Sequence, residues 1–147
     1  METTINLEFE KCLKRGKIKP FSRGKFLAPK EMQTAKNDLK SAQVSFKQDN
    51  YKWAAIQCYY SMFHSGRALL FNKNFQEKSH YCLIVALRSL YVDKGKLSFQ
   101  LIEALQKAKT LREEADYYDR WSQEATEFLL DQAREFLQTV KNLLKLK

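Results

Sequence analysis

Residues 51–72 read YKWAAIQCYYSMFHSGRALLFN, and this stretch decides the fold. It contains no proline, carries a single glycine, Gly66, and is apolar over most of a helical circumference. Such a segment is a helix surrounded by neighbours. On a wheel of 100 degrees per residue, Trp53, Gln57, Tyr60, His64, Arg67 and Phe71 fall within about 80 degrees of one another. Ala55, Tyr59, Met62, Gly66 and Leu69 lie opposite them and form a plain core face, with Gly66 allowing a neighbouring helix to come close. The first stripe mixes aromatic rings with an imidazole and a guanidinium. That combination suits stacking on a base while a phosphate is held. It also suits a symmetric dimer face, where Tyr, Trp and Arg are favoured anchors. In a third reading Tyr60 and His64 merely bond to the facing helix.

The flanking sequence extends the helical pattern in both directions. Gly16, Gly24, Pro20 and Pro29 all fall in the first 30 residues, so the chain beyond Pro29 is free to be helical. Residues 4–15 predict a short helix with Ile5, Phe9, Cys12 and Leu13 on one side, followed by an irregular basic stretch. A first bundle helix starts near Pro29, where a missing N–H is harmless, and Met32, Ala35, Leu39, Ala42 and Phe46 keep its period. Ser79 is placed to cap a third helix carrying Leu83, Leu87 and Leu90, which the turn Asp93-Lys94-Gly95 ends. A fourth helix runs from about Ser98 to Lys109, and residues 110–121 read as an irregular or partly helical connection. Ser122 caps a long last helix whose inner face holds Ala125, Phe128 or Leu129, Ala133, Phe136, Val140 and Leu143 or Leu144. The expectation is an all-α, antiparallel up-and-down bundle of four to five main helices. Residues 1–30 form a basic extension and residues 31–147 form the bundle, without strands.

Of the net charge of +9, residues 11–30 supply +8, with eight Lys or Arg and no acid, and residues 1–10 supply −3, so residues 31–147 carry +4. A cationic arm fits a polyanion such as nucleic acid, because each neutralised phosphate releases counterions. Equally, such a run keeps an exposed arm solvated. The three cysteines, Cys12, Cys58 and Cys82, are odd in number and lack a CxxC pair, which reads as reduced, packed thiols in a cytoplasmic protein. The N-terminus lacks a secretory pattern, and the longest strongly apolar run, residues 81–87, is too short to span a bilayer, so no membrane partner is expected. With two histidines, and no carboxylate three or four residues from His64, no metal site and no cofactor are expected. No Walker loop, GxGxxG, GxSxG or HExxH pattern occurs.

Two further clusters bear on chemistry. Lys78-Ser79-His80 sits at a helix start, where backbone amides favour an anion; in the alternative reading Lys78 is solvated and His80 simply helps the cap. Where residues 110–121 are helical, Arg112 and Asp116 are spaced to pair, a contact of only a few tenths of a kcal/mol. Tyr117 and Tyr118 would stack on a base or cover the bundle end.

Lys52-Trp53-Ala54-Ala55, Tyr59-Tyr60-Ser61-Met62-Phe63-His64 and Arg67-Ala68-Leu69-Leu70, taken in order, resemble the second-helix signature of the HEPN family. Lys78-Ser79-His80, Tyr91-Val92 with Gly95, Arg112-Glu113-Glu114-Ala115-Asp116-Tyr117 and Ala133-Arg134-Glu135-Phe136-Leu137 follow in the order of its archaeal and bacterial branch of small proteins, over about residues 31–144. The resemblance implies a bundle that dimerises, a minimal nucleotidyltransferase as partner, and a place in a toxin–antitoxin-like or stress and defence system. Many such proteins are ribonucleases that use an Arg followed, after four to six residues, by a His. Here no His follows Arg112 at that spacing; Asp116, Tyr117 and Tyr118 stand there instead. Loss of that His removes the usual acid or base of a metal-independent cleavage.

The leading expectation is therefore a homodimeric module that binds a nucleotide or RNA, or a nucleotidyltransferase partner, and is not a standard ribonuclease. The residues expected at the ligand are Tyr60, His64, Arg67, Lys78, Arg112, Asp116 and Tyr117. One alternative is an active endoribonuclease in which His64 or His80 reaches Arg112 across the fold, within about 3 to 7 Å directly or through one bridging group. The other is a pure protein-interaction module.

Overall fold

The computed structural model describes residues 2–118 and 122–146, with side chains from Leu7 to Glu114 and from Ser122 to Leu146. Six helices and one small sheet follow in order: α1 Glu2–Lys14, β1 Ile18–Pro20, α2 Gly24–Lys47, α3 Tyr51–Phe71, β2 Phe75–Glu77, α4 His80–Leu87, α5 Phe99–Tyr118 and α6 Gln123–Leu143. The molecule is all-α apart from a ribbon of two three-residue strands. Helix α3 is the centre, packed by α2, α4, α5 and α6.

The core follows the sequence period. On α3 the whole expected core face, Ala55, Tyr59, Met62, Gly66 and Leu69, is buried. A Cβ at Gly66 would lie 3.1 Å from Leu87 Cδ1, so glycine lets α4 close onto α3. Ser61 and Ser65 are buried too, and their hydroxyls donate to the Ala35 and Ser61 carbonyls, both at 2.9 Å. Both polar groups are thereby satisfied within apolar packing. On α6, Leu129, Leu130, Ala133, Phe136 and Val140 face inward, while Phe128 is turned out. Phe136 is fully buried, and truncation to Ala would cost about 3–5 kcal/mol. Both expected serine caps form: Cys82 N donates to Ser79 Oγ at 3.1 Å, and Ala125 N donates to Ser122 Oγ at 3.0 Å.

Four local expectations need correction. Helix α2 starts at Gly24 rather than near Pro29, so Pro29 lies inside it. The start is held from a distance: Lys25 N donates to Asn74 Oδ1 at 2.9 Å, and Phe21 N donates to the Asn74 carbonyl at 2.7 Å. Gly24 is needed because a Cβ there would collide with the Phe71 carbonyl oxygen. Secondly, the basic stretch is not wholly irregular: Ile18, Lys19 and Pro20 pair antiparallel with Glu77, Gln76 and Phe75. Ile18 is 1% exposed while Lys17 and Lys19 face out, the alternation of a strand lying on a core. Thirdly, residues 110–118 continue α5 instead of leaving it, which the helix-favouring run Leu111-Arg112-Glu113-Glu114-Ala115 allows despite its weak apolar period. Fourthly, the cysteines are not all thiols. Helix α1 folds back so that Cys12 and Cys82 come within 5.8 Å at Cα and form a disulfide. Only Cys58 is a free thiol; it is buried, and burial pushes its pKa up to about 12. Beyond α4, Arg88–Val92 forms a π-helical turn, which closes at Gly95 with φ +71°.

Candidate functional site

All six positions of the mixed stripe on α3 remain at least partly exposed, as the wheel requires. Their partners divide them. Trp53 stands 53% exposed, and Gln57 pairs with Ser45 of α2 at 2.8 Å. His64 Nδ1 lies 2.9 Å from Glu31 Oε1 on α2, with Asp38 at 4.0 Å from Nε2. Arg67 donates from Nε and Nη2 to Glu77 Oε2 at 3.1 and 2.7 Å, and its Nη1 is 3.5 Å from Glu31. Its guanidinium also covers the Phe63 ring at 4.5 Å. Burial alone would raise the Glu31 carboxyl, but the hydrogen bond and charge of His64 and the charge of Arg67 outweigh it and hold the group below its ordinary value. Asp38 goes the other way, raised by burial that the His64 charge only partly offsets. This flank of α3 is an ionic network closed on itself.

The other flank is built from α3, the start of α4 and α5. The Tyr59 hydroxyl hydrogen-bonds His80, the first residue of α4. The His80 ring stacks on Phe63 at 4.7 Å. Above them Arg112 of α5 sets its guanidinium 5.6 Å from the Tyr59 ring and 5.3 Å from the Tyr60 ring, and the two tyrosines meet edge-on at 5.2 Å. Such contacts hold a guanidinium in place at about 0.5–1 kcal/mol each without neutralising it. Among the described residues Arg112 has no carboxylate partner, whereas its neighbour Lys109 is paired with Glu113 at 2.7 Å. Burial, then the Lys109 charge, lowers the His80 pKa; Glu77 opposes this, and Arg112 and Arg67 add to it. The balance favours the neutral imidazole. Burial raises the Tyr59 phenol against the pull of Arg112, so its proton stays on.

A guanidinium on an aromatic floor with no carboxylate partner among the described residues, beside an imidazole with a bonded phenol, can hold a phosphate, offer a ring to a base, and accept a proton. Of the residues expected from sequence, Tyr60 and Arg112 meet here. His64 and Arg67 lie on the ionic flank, and Lys78 is exposed at the end of the ribbon, its N–H donating to the Lys17 carbonyl at 2.7 Å. The side chains of Asp116, Tyr117 and Tyr118 fall outside the described residues. Sequence reasoning missed Tyr59, Phe63, Glu31 and Glu77. Tyr59 could have been found, since a tyrosine on a core face must find a partner for its hydroxyl. Among the described residues no three His, Cys, Asp or Glu side chains are grouped to hold a metal ion, and no helix is long and apolar enough to cross a membrane.

The HEPN domain model matches residues 29–143. Three archaeal proteins are similar over most of their lengths. "Putative toxin MJ0605" of Methanocaldococcus jannaschii is 30% identical over 115 residues, covering 78% of this chain and 86% of its own. "Putative toxin MJ0142" of the same organism is 27% identical over 117 residues, covering 78% and 80%. A "UPF0332 protein" of Archaeoglobus fulgidus is 29% identical over 113 residues, covering 76% and 90%. With the second-helix signature folded as α3 at the centre of a helical bundle and the family match spanning α2 to α6, the chain belongs to the HEPN domain family.

Proposed function

We propose that this chain is a toxin-like HEPN module that binds RNA, taking a phosphate on Arg112 and a base against Tyr60 and the rings beside it. The observation that carries the reading is the Arg112 guanidinium, which rests on two tyrosine rings and has no carboxylate partner among the described residues. His80 and Tyr59 border that phosphate position, Lys78 stands two residues before His80 at the end of the ribbon, and Asp116 and Tyr117 follow Arg112 on the same helix. His64 and Arg67, bound to Glu31 and Glu77, position Phe63 and the ribbon rather than meeting the ligand first. The relatives named as toxins support the toxin-like part of the reading, and family membership supports a homodimer with a minimal nucleotidyltransferase as protein partner. Direct titration of a labelled single-stranded RNA tests it. Arg112→Ala is expected to weaken binding at least about tenfold, a loss of 1.4 kcal/mol; binding unchanged in folded Arg112→Ala protein rejects the site.

A second reading, metal-independent RNA cleavage, is favoured by one contact: Tyr59 bridges Arg112 and His80. A neutral His80 would take the proton of a ribose 2′-hydroxyl as its oxygen attacks phosphorus. The 5′-oxygen would leave taking a proton from water, a 2′,3′-cyclic phosphate would remain, and Arg112 would meet the developing charge. Chelator-resistant cleavage lost in His80→Gln supports this reading. RNA binding without any cleavage leaves the binding module alone.

A further inference from the structure

Residues 7–28 precede the family match, yet they are built into the fold rather than trailing from it. The Cys12–Cys82 disulfide ties α1 to α4, Ile18 is buried, and the ribbon joins Lys17 to Lys78. Between α1 and the start of α4 lies a cleft of about 380 Å³, lined by Lys11, Arg15 and Lys17 with Ser79 and Tyr81. Glu8 is the one carboxylate in that lining, and it accepts a hydrogen bond from the Tyr81 hydroxyl at 3.1 Å. The three cations are exposed, and none has a carboxylate partner among the described residues.

Like charges fixed this close repel one another, a cost that a bound polyanion offsets. The charge also continues past the cleft, through Lys14, Lys19, Arg23 and Lys25, all exposed. A single phosphate would be matched by one cluster; seven exposed cations spread over the end of α1, β1 and the start of α2 offer contacts to several phosphates. Ser79 and Tyr81 flank His80 in sequence, so the first turn of α4 supplies a wall of the cleft on one side and the imidazole beside Arg112 on another. Resting on the RNA-binding reading above, we infer that the α1–α4 cleft is a phosphodiester-binding track that holds the RNA strand entering or leaving the Arg112 site.

The test is a fluorescence anisotropy titration of the full chain with a short labelled single-stranded RNA over a range of salt. The variants are the triple substitution Lys11→Ala, Arg15→Ala, Lys17→Ala and a charge-matched control, Lys36→Ala, Lys40→Ala, Lys47→Ala, whose exposed positions lie on α2 outside the cleft. Each phosphate neutralised on a single strand contributes about 0.7 to the slope of log K against log salt, so the cleft variant should lose about 2 from that slope. Its affinity should fall at least about tenfold, with the control close to wild type. If the cleft variant keeps wild-type affinity and slope while Arg112→Ala is weakened, the track is wrong and the Arg112 site stands. Equal losses in the cleft variant and the control reduce the effect to net charge and overturn the track. Binding of inorganic phosphate that the cleft variant loses while its RNA affinity stays at wild type assigns the cleft to free phosphate and also overturns it. Absence of RNA binding by the wild-type chain overturns both readings. Circular dichroism melting of each variant verifies that the fold is retained.

Discussion

Arg67 and Arg112 flank the same aromatic cluster on α3, and they are in opposite states. Arg67 lies over Phe63 and is closed by Glu77 and Glu31, with the Glu77 side chain only 5% exposed. Arg112 lies over Tyr59 and Tyr60 with no carboxylate partner among the described residues. A guanidinium that already has its carboxylates gains little from a phosphate, and removing it strands a buried charge. A guanidinium held only by ring faces can be removed cheaply, and its charge remains available. On the proposed reading, the difference separates a structural arginine from one available to a ligand where residue type and exposure alone would not.

The contrast can be broken most readily through Arg67. Arg67→Ala should lower the unfolding free energy by about 2–3 kcal/mol in a urea titration, because Glu77 loses a charge-assisted bond in a buried place. The folded fraction should still bind RNA. Arg112→Ala should shift stability by no more than about 1 kcal/mol while abolishing most of the RNA affinity. Two variants with equal effects on both readouts would erase the distinction.

Acid sharpens it further. The Glu31 carboxyl is held below its ordinary 4.5 in the fold, so its contribution is complete above that pH and is lost as pH falls through the lower folded value. Glu31→Gln should cost about 1 kcal/mol at neutral pH and flatten the stability curve in that acid window. The smallest effect belongs to His80, whose folded pKa lies below its ordinary 6.5. Its neutral form contributes stability that is present above pH 6.5 and declines as pH falls through the folded value. An NMR titration should show the His80 ring protonating below 6.5, and His80→Gln should remove that part of the decline.

The two faces of α3 were readable because a surrounded helix must keep its polar atoms on one side, and the period of 3.6 places them. Ser79 and Ser122 were readable because an N-cap acts within three residues. The start of α2 was not, since Asn74 supplies its cap from 49 residues away. The Cys12–Cys82 pair depends on α1 docking, which no local pattern encodes. The same limit applies at the site. Arg112 and Tyr60 could be chosen by type and spacing, but the state of Arg67 depends on Glu31 and Glu77, which reach it from other elements. Tyr59 was hidden by its place on the apolar face, where its ring packs as core while its hydroxyl reaches His80.

The central claim is that Arg112, which no carboxylate among the described residues neutralises, is the group that receives RNA phosphate. Anisotropy titration of one labelled single-stranded RNA against wild type, Arg112→Ala and Arg112→Lys tests this most directly, with thermal melting of each protein alongside. The expected result is a loss of at least about tenfold for Arg112→Ala, partial recovery in Arg112→Lys because a point charge replaces the planar fork, and nearly unchanged melting. Wild-type affinity in a folded Arg112→Ala protein would contradict the account.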